Sequence, residues 1–524
     1  MGLFNKFAVI VTTGLLVSGC QNNALVKQEA PEQSVAITQQ SSSSKPATAV
    51  RHQPKQASDL WQLSRDNFAL NLDQPQQRIT SQLNWYSKHP QYMQRVAVRA
   101  GRYYHYILGE VLKRGMPAEI ALLPIVESAY DPFAYSHGRA AGPWQFIPGT
   151  AKHFGLKSSW WYDGRRDIVA STDAALTYLQ QLNKRFGDWE LALAAYNCGG
   201  GNVSKAIRRN KKKGLPTDFW SLDLPKETEA YVPKLLAVSK MIRDAQQHNL
   251  TLPELANKPV FEIVELDSQI DLAQAADLAD ISTQELYQFN PGFNRWATDP
   301  AGPHRLLIPV SSSQQFRREL AQLPAEDRVN WTRYKIRSGD TMSTIARRFD
   351  TTTEVIRSAN KMTRNNIRAG KYLLIPTARN QSSDYVLSKA QRFNRKQSQL
   401  AQSNRKKQTY TVQSGDSFWK ISRQYKVSVR QLASWNQMAP GDPLRSGQTL
   451  VIWKTDNSTT LSRNDQQLIR KVGYQVRSGD SLARIAGKFR VTVKDIKRWN
   501  KLNGDKYLQP GQRLTLYVDV TNTH

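Results

Sequence analysis

The C-terminal half of the chain repeats itself, and a repeat of fixed length restricts the possible folds more than any other feature of this sequence. Tyr334 to Pro376, Tyr410 to Ile452 and Tyr474 to Leu516 align without forcing, each 43 residues long. Each opens Tyr-x-[Ile/Val]-x-Ser-Gly-Asp-[Ser/Thr]. Each places an isoleucine (Ile345, Ile421, Ile485), then an aromatic residue (Phe349, Tyr425, Phe489), and has an asparagine 26 positions after the opening Tyr (Asn360, Asn436, Asn500). Each closes on a Gly followed by an alternating apolar run, as in Gly511-Gln512-Arg513-Leu514-Thr515-Leu516. Alternation at both ends with helical spacing between predicts strand, helix, helix, strand. Asp340, Asp416 and Asp480 stand where the first helix of each unit needs its N-cap.

These units resemble LysM domains, small βααβ modules. The resemblance implies binding of N-acetylglucosamine-containing glycans in a shallow groove near Gly339-Asp340, Gly415-Asp416 and Gly479-Asp480 and the segment after the asparagine. On the residues alone, a simpler reading stands beside it: glycine as turn residue, aspartate as cap, asparagine as brace. A weaker fourth copy precedes the three. Aligning Asn290 with Asn360 puts Val264, Leu266, Leu272, Ala275, Ala276 and Leu286 at core positions, but Gln269 and Ile270 replace Gly-Asp. Residues 260–310 carry eight acidic and two basic side chains, opposite in sign to the later copies, which suggests a related fold that has lost or changed its ligand and serves as a spacer. The chain is expected to divide into a leader (1–19), a tether (20–58), a mainly helical domain (59–250), the degenerate module (260–310), repeats at 334–377, 410–453 and 474–517, and a basic linker (378–409) expected to be disordered.

The N-terminus assigns the compartment. Lys6 precedes an apolar run, Phe7 to Val17, too short to span a bilayer comfortably, and then Val17-Ser18-Gly19-Cys20. That tetrad resembles a bacterial lipobox, which implies acylation of Cys20; with Gln21 rather than aspartate following, it implies an outer-membrane lipoprotein facing the periplasm. An ordinary signal peptide with a chance cysteine is the alternative. The other cysteine is Cys198, so a disulfide framework and a cysteine zinc site are both excluded. A net charge of +30 predicts attraction to polyanions. Wall carboxylates, anionic lipid and nucleic acid all qualify on charge; an exported chain would rarely meet cytoplasmic nucleic acid, so no nucleic-acid partner is expected. No metal-binding or phosphate-binding motif is present, so no cofactor is expected.

Within the helical region, one helix is predicted from about Thr172 to Phe186, capped by Ser171 or Thr172 and stopped by Gly187, and Pro117 and Pro148 mark possible helix starts. The densest motif is Leu122-Leu123-Pro124-Ile125-Val126-Glu127-Ser128-Ala129-Tyr130-Asp131-Pro132. Pro132 disfavours helix at Asp131, so the chain should turn just after Glu127. A carboxyl among apolar groups keeps its proton to higher pH, as a general acid for glycoside cleavage requires; a helix-terminal surface glutamate is the local alternative. Ser136, Gly142-Pro143-Trp144-Gln145-Phe146, Ala195-Tyr196-Asn197-Cys198-Gly199 and Glu227-Thr228-Glu229-Ala230-Tyr231-Val232 follow in order. Together with Glu127 they resemble the lysozyme-like lytic transglycosylases, in particular those with a lipobox and C-terminal LysM repeats.

The resemblance implies a multidomain protein: a mainly α, lysozyme-like catalytic domain followed by βααβ LysM modules, cutting peptidoglycan between N-acetylmuramic acid and N-acetylglucosamine without water and leaving 1,6-anhydro ends. It implies that Glu127 is the single acid/base, that Ser136 bonds Glu127 or the reacting sugar, that Gln145 holds substrate acetamido or hydroxyl groups, that Tyr196 and Asn197 line the groove, that Trp144 stacks on a sugar face, and that Tyr231 steadies Glu127 or the developing charge. Pro143 departs from the aliphatic residue more usual there and removes a backbone donor beside Gln145. Trp144 and Tyr196 can equally be core aromatics. Asp163 and Asp167, flanking Gly164-Arg165-Arg166, read as an internally paired turn rather than as a second catalytic carboxylate. A hydrolytic muramidase and a non-catalytic peptidoglycan-binding lipoprotein remain as alternatives.

Overall fold

The computed structural model describes residues 58–403, 405–455 and most of 469–519. Cys20 and the leader lie outside the described residues. The first part of the chain is helical, from Leu60–Asp66 to Lys226–Arg243, and four βααβ modules follow, each with its own two-stranded antiparallel sheet. The helical core is built from fully buried side chains of Tyr104, Leu108, Leu123, Leu176, Leu193 and Leu235. The longest helix, Ile168–Phe186, ends as expected at Gly187 in the left-handed conformation (φ 70°), but it starts four residues earlier than Thr172. Asp167 is its cap, accepting from the Ala170 N–H at 2.7 Å. A short 3-10 helix, Ala118–Leu122, follows Pro117, and Pro148–His153 begins on its proline.

The expected strand–helix–helix–strand order holds in all four modules, including the degenerate one: Phe261–Glu265, Leu272–Leu278, Thr283–Phe289 and Arg305–Pro309. One asparagine explains the shared register. Asn360 donates to the carbonyls of Ile356 and Leu374 and accepts from Leu374 N–H, tying the second helix to the closing strand. Asn290, Asn436 and Asn500 repeat this brace.

The aspartates of the Ser-Gly-Asp loops are not N-caps. Thr341, Ser417 and Ser481, one residue later, cap the first helices. Asp340, Asp416 and Asp480 instead accept from the hydroxyl of the opening Tyr at 2.6 Å and from a loop N–H. The side chains of Asp340 and Asp416 are 7% and 0% exposed, so these carboxylates brace the loop from inside and are not presented to a sugar. Gly339, Gly415 and Gly479 are exposed, at φ of 81–84° that a side chain would strain.

Two expectations about connectivity are overturned. The degenerate module is no free spacer: its core is continuous with Trp161 and Tyr162 of the helical domain, and its Phe261, Phe289 and Leu307 enter the helical core. Asp163 N–H donates to Gly292 O (2.8 Å), Asn294 N–H donates to Trp161 O (2.7 Å), and Arg305 pairs with Asp167 at 2.9 Å. A side chain at Gly292 would collide with the Tyr162 ring at 2.7 Å. The helix Val310–Gln322 adds Phe316 and Leu320 to the module's core.

Nor is the segment 378–403 disordered. Buried Tyr385 donates to Asp271, and the helix Lys389–Ala401 reaches the second repeat, where Gln397 donates to Trp435 O and accepts from the Trp453 indole. The few apolar residues of the linker, Tyr385, Leu387, Phe393 and Leu400 among them, dock alongside Gln397. That second repeat also meets the helical domain: Asp442 accepts from Tyr135 Oη at 3.0 Å and pairs with Arg139 at 2.7 Å.

Candidate active site

Glu127 sits at the end of the short helix Leu123–Ser128. The turn after it is sharp, as Pro132 predicted: Ala129 and Tyr130 are both left-handed (φ 53° and 55°), conformations disfavoured for residues with side chains. Buried anchors hold it. Tyr130 donates to Ala121 O, Tyr92 donates to Ile125 O at 3.3 Å, and Ser128 donates to the carbonyls of Pro124 and Pro143. Clusters of such strained residues mark sites where geometry is fixed for function.

Tyr231, on the helix Lys226–Arg243, donates to Glu127 Oε1 at 2.5 Å. Burial pushes the Glu127 carboxyl up to about 7; the Tyr231 hydrogen bond and Lys234 pull it down, and the charge of Glu227 adds to the rise. Desolvation wins because the carboxylate has few polar partners to replace water. Glu127 nonetheless keeps a partly exposed edge, so a substrate can reach it. An acid that is half-protonated near neutral pH can give and retake a proton in one cycle.

Tyr196 and Asn197 come from the end of the helix Trp189–Cys198. Tyr196 Oη donates to Trp144 O at 2.8 Å, and burial, with the nearby Glu127 charge, holds its phenol protonated. Asn197 Oδ1 accepts from Thr228 at 2.6 Å, so the partly exposed amide is oriented from behind. Gln145 is left-handed (φ 49°) and its Nε2 donates to Gly142 O at 2.8 Å. Gly142 is required here: a Cβ would lie 1.8 Å from Arg165 O.

Two assignments change. Trp144 is 0% exposed and its indole donates to Thr172, so it offers no face to a sugar; it is a core residue that carries the Gln145 loop. Ser136 Oγ accepts from Ala140 N–H at 3.0 Å and so shapes its own turn; of its two expected partners, the bond to Glu127 is not made. Sequence reasoning missed Thr228, whose signal was its place three residues before Tyr231 on the same helical face. It also missed Glu119, a wholly buried carboxylate that accepts from the N–H groups of Ala69 and Leu70. Asp163 is held by Arg165 and Arg166, as the paired-turn reading required.

The Transglycosylase SLT domain family matches residues 109–218, the LysM-like domain of lytic transglycosylase MltD matches 260–325, and the LysM domain matches 334–376, 410–453 and 474–516. Membrane-bound lytic murein transglycosylase D of Escherichia coli (strain K12) is 35% identical over 523 residues, covering 99% of each chain. This chain belongs to the lytic murein transglycosylase D family. It is an enzyme of the lytic transglycosylase class, with LysM modules that bind peptidoglycan. Its similarity to an autolysin of Enterococcus faecalis (strain ATCC 700802 / V583) is 33% identity over 177 residues, 33% of this chain and 23% of that one. A solved lytic transglycosylase Slt of Pseudomonas aeruginosa is 27% identical, with 28% and 24% covered and a TM-score of 0.22. In this transglycosylase Glu127, Tyr196 and Tyr231 come from three separate helices; Tyr231 bonds Glu127 directly and Tyr196 lies near enough to feel its charge. No helix among the described residues is long and apolar enough to cross a membrane, and none of their His, Cys, Asp and Glu side chains group as a metal site.

Proposed function

We propose that Glu127 alone carries the acid and base steps of a non-hydrolytic cleavage. Protonated Glu127 gives its proton to the oxygen bridging N-acetylmuramic acid and N-acetylglucosamine. The C1–O bond breaks, and the sugar's acetamido oxygen stabilises C1. The Glu127 carboxylate then takes the C6 hydroxyl proton as O6 bonds to C1, which closes the 1,6-anhydro ring and restores the acid. The observation that carries this reading is the carboxyl of a half-buried residue, pushed up to about 7 by burial and held by one phenol. Two-carboxylate glycosidases need a second free carboxylate within about 5–10 Å. Asp163 is committed to Arg165 and Arg166, Asp167 caps a helix and pairs with Arg305, and Asp131 accepts from Phe133 N–H. Gln145 and Asn197 are positioned to hold sugar amide or hydroxyl groups, with Tyr196 lining the groove.

One feature favours hydrolysis: Glu227 is exposed and its charge reaches Glu127. Mass spectrometry of digested sacculi separates the two. Anhydro ends are expected; products that have gained water, lost on Glu227→Gln, would establish the hydrolytic reading. The anchor follows from the N-terminal tetrad. Acylated Cys20 would hold the enzyme on the periplasmic face of the outer membrane, and metabolic labelling with a fatty acid, abolished by Cys20→Ser, tests it. The chemistry is assigned to 59–250, and the LysM-like module expected at 260–310 runs on through the helix Val310–Gln322.

A further inference from the structure

Positive charge is concentrated away from Glu127, where the loop after it meets the LysM-like module and the helix Lys389–Ala401. Arg166 Nη1 and Arg392 Nη2 lie 3.4 and 3.5 Å from one and the same acceptor, Asn294 Oδ1. Lys389 joins them through its N–H, which donates to Asn294 O at 2.9 Å. Arg392 Cζ lies 4.7 Å from the centre of the Phe133 ring, and Arg295 Cζ lies 4.1 Å from that of Trp160. The nearby carboxylate Asp163 is gripped through both oxygens by Arg165 at 2.8 Å, leaving Arg166 one contact of 3.2 Å.

Arg166 is only 8% exposed, yet its Nε has no hydrogen-bond partner among the described residues. A buried donor left unmade costs free energy, and so does gathering like charges. Burial and the proximity of Arg166 hold Arg392 down to about 9, and burial, together with Arg166, Arg295 and Arg392, lowers Lys389. An anion would relieve both costs. It can enter, because Lys389 is exposed and Arg392, Arg295, Phe133 and Trp160 are partly so.

We propose that Arg166, Arg392, Arg295 and Lys389 form a carboxylate-binding subsite for the peptide that hangs from the glycan strand, beside the loop 131–136 that follows Glu127. Guanidinium forks match planar carboxylates, and the two flanking aromatic faces suit a peptide more than a bare ion. The subsite explains why the linker helix is docked rather than loose: it supplies two of the four cations. The assignment rests on the peptidoglycan substrate proposed above.

The test compares the full chain with Arg392→Gln and Lys389→Gln on two substrates: strands carrying their peptides, and strands stripped of them by an amidase. Arg392→Gln should raise KM on peptide-bearing strands about tenfold or more, with kcat and all activity on stripped strands unchanged. Lys389→Gln, whose side chain faces solvent, should give a smaller rise in the same direction with no change in thermal unfolding. Equal losses on both substrates, or no change on either, would overturn the proposal. Calorimetric titration of the parent with a soluble stem tripeptide, and separately with inorganic phosphate, distinguishes the sources of anion. Tripeptide binding abolished by Arg392→Gln supports the subsite. Phosphate binding as tightly would refute the peptide assignment. Product mass spectrometry on the parent tests the transglycosylase chemistry separately, and the titration reads the subsite whatever that chemistry proves to be.

Discussion

Replacing Glu127 by Gln should abolish cleavage and stabilise the protein, by an amount that depends on pH. The carboxyl is raised from 4.5 to about 7 in the fold. A raised acid favours the fold while it stays protonated: its contribution is fully present below the unfolded value and is lost as pH rises through about 7. Each unit is worth about 1.4 kcal/mol, so the ceiling is about 3 kcal/mol at pH 8, falling to near zero by about pH 4. The partly exposed edge lets water screen the charge, which brings the expected gain at pH 8 to about 2 kcal/mol. For a domain of this size that is about 4–8 °C in Tm. The assay is thermal unfolding of parent and Glu127→Gln across pH, following the transition of the helical domain. A Tm difference that stays flat from acid to alkaline pH would refute the claim that a buried, proton-retaining carboxyl lies at position 127, whatever happens to activity.

Tyr231→Phe removes the donor that lowers the Glu127 carboxyl, so the alkaline limb of the pH–rate profile should move to higher pH while turnover falls about tenfold or more; an unmoved limb would deny the contact. Trp144→Ala should cost about 3–5 kcal/mol in unfolding, because it empties a core site, and should not selectively weaken binding of short glycan fragments to whatever remains folded. In the second repeat, Asp416→Ala should lower the module's melting temperature without weakening sacculus pull-down by the intact chain at room temperature. Asp416 is held down to about 2 by Lys420 and Tyr410, so the stability it adds should persist from neutral pH down and disappear only as pH falls through about 2.

Sequence periodicity carried the modules well because their register depends on short-range rules. A strand alternates, a helix repeats every three to four residues, and one asparagine reaches a fixed 26 positions from the opening Tyr. The turn after Glu127 was legible for a similar reason, since Pro132 restricts its neighbour directly. What pattern could not show was depth. Trp144 sits in a motif of groove residues and points the other way, into the Thr172 hydroxyl. Asp340 and its equivalents look like caps from the spacing, but the adjacent Thr341, Ser417 and Ser481 do that work and free the carboxylates to grip a tyrosine across the strand. The docking of Tyr385, Gln397 and the degenerate module depends on contacts made over more than 30 residues of separation, which no local composition reports.

The fusion of the LysM-like module to the helical domain also sets where this protein can be cut. A chain ended near residue 250 would strip cover from Trp161 and Tyr162, remove Phe261, Phe289 and Leu307 from the helical core, and leave Asp167 without Arg305. Such a fragment should aggregate or unfold, whereas one that runs on through the linker keeps Tyr385 and Leu387 in the module's core and Tyr385 on Asp271. For anyone exchanging wall-binding tails between enzymes of this kind, the first βααβ unit therefore travels with the chemistry rather than with the grip.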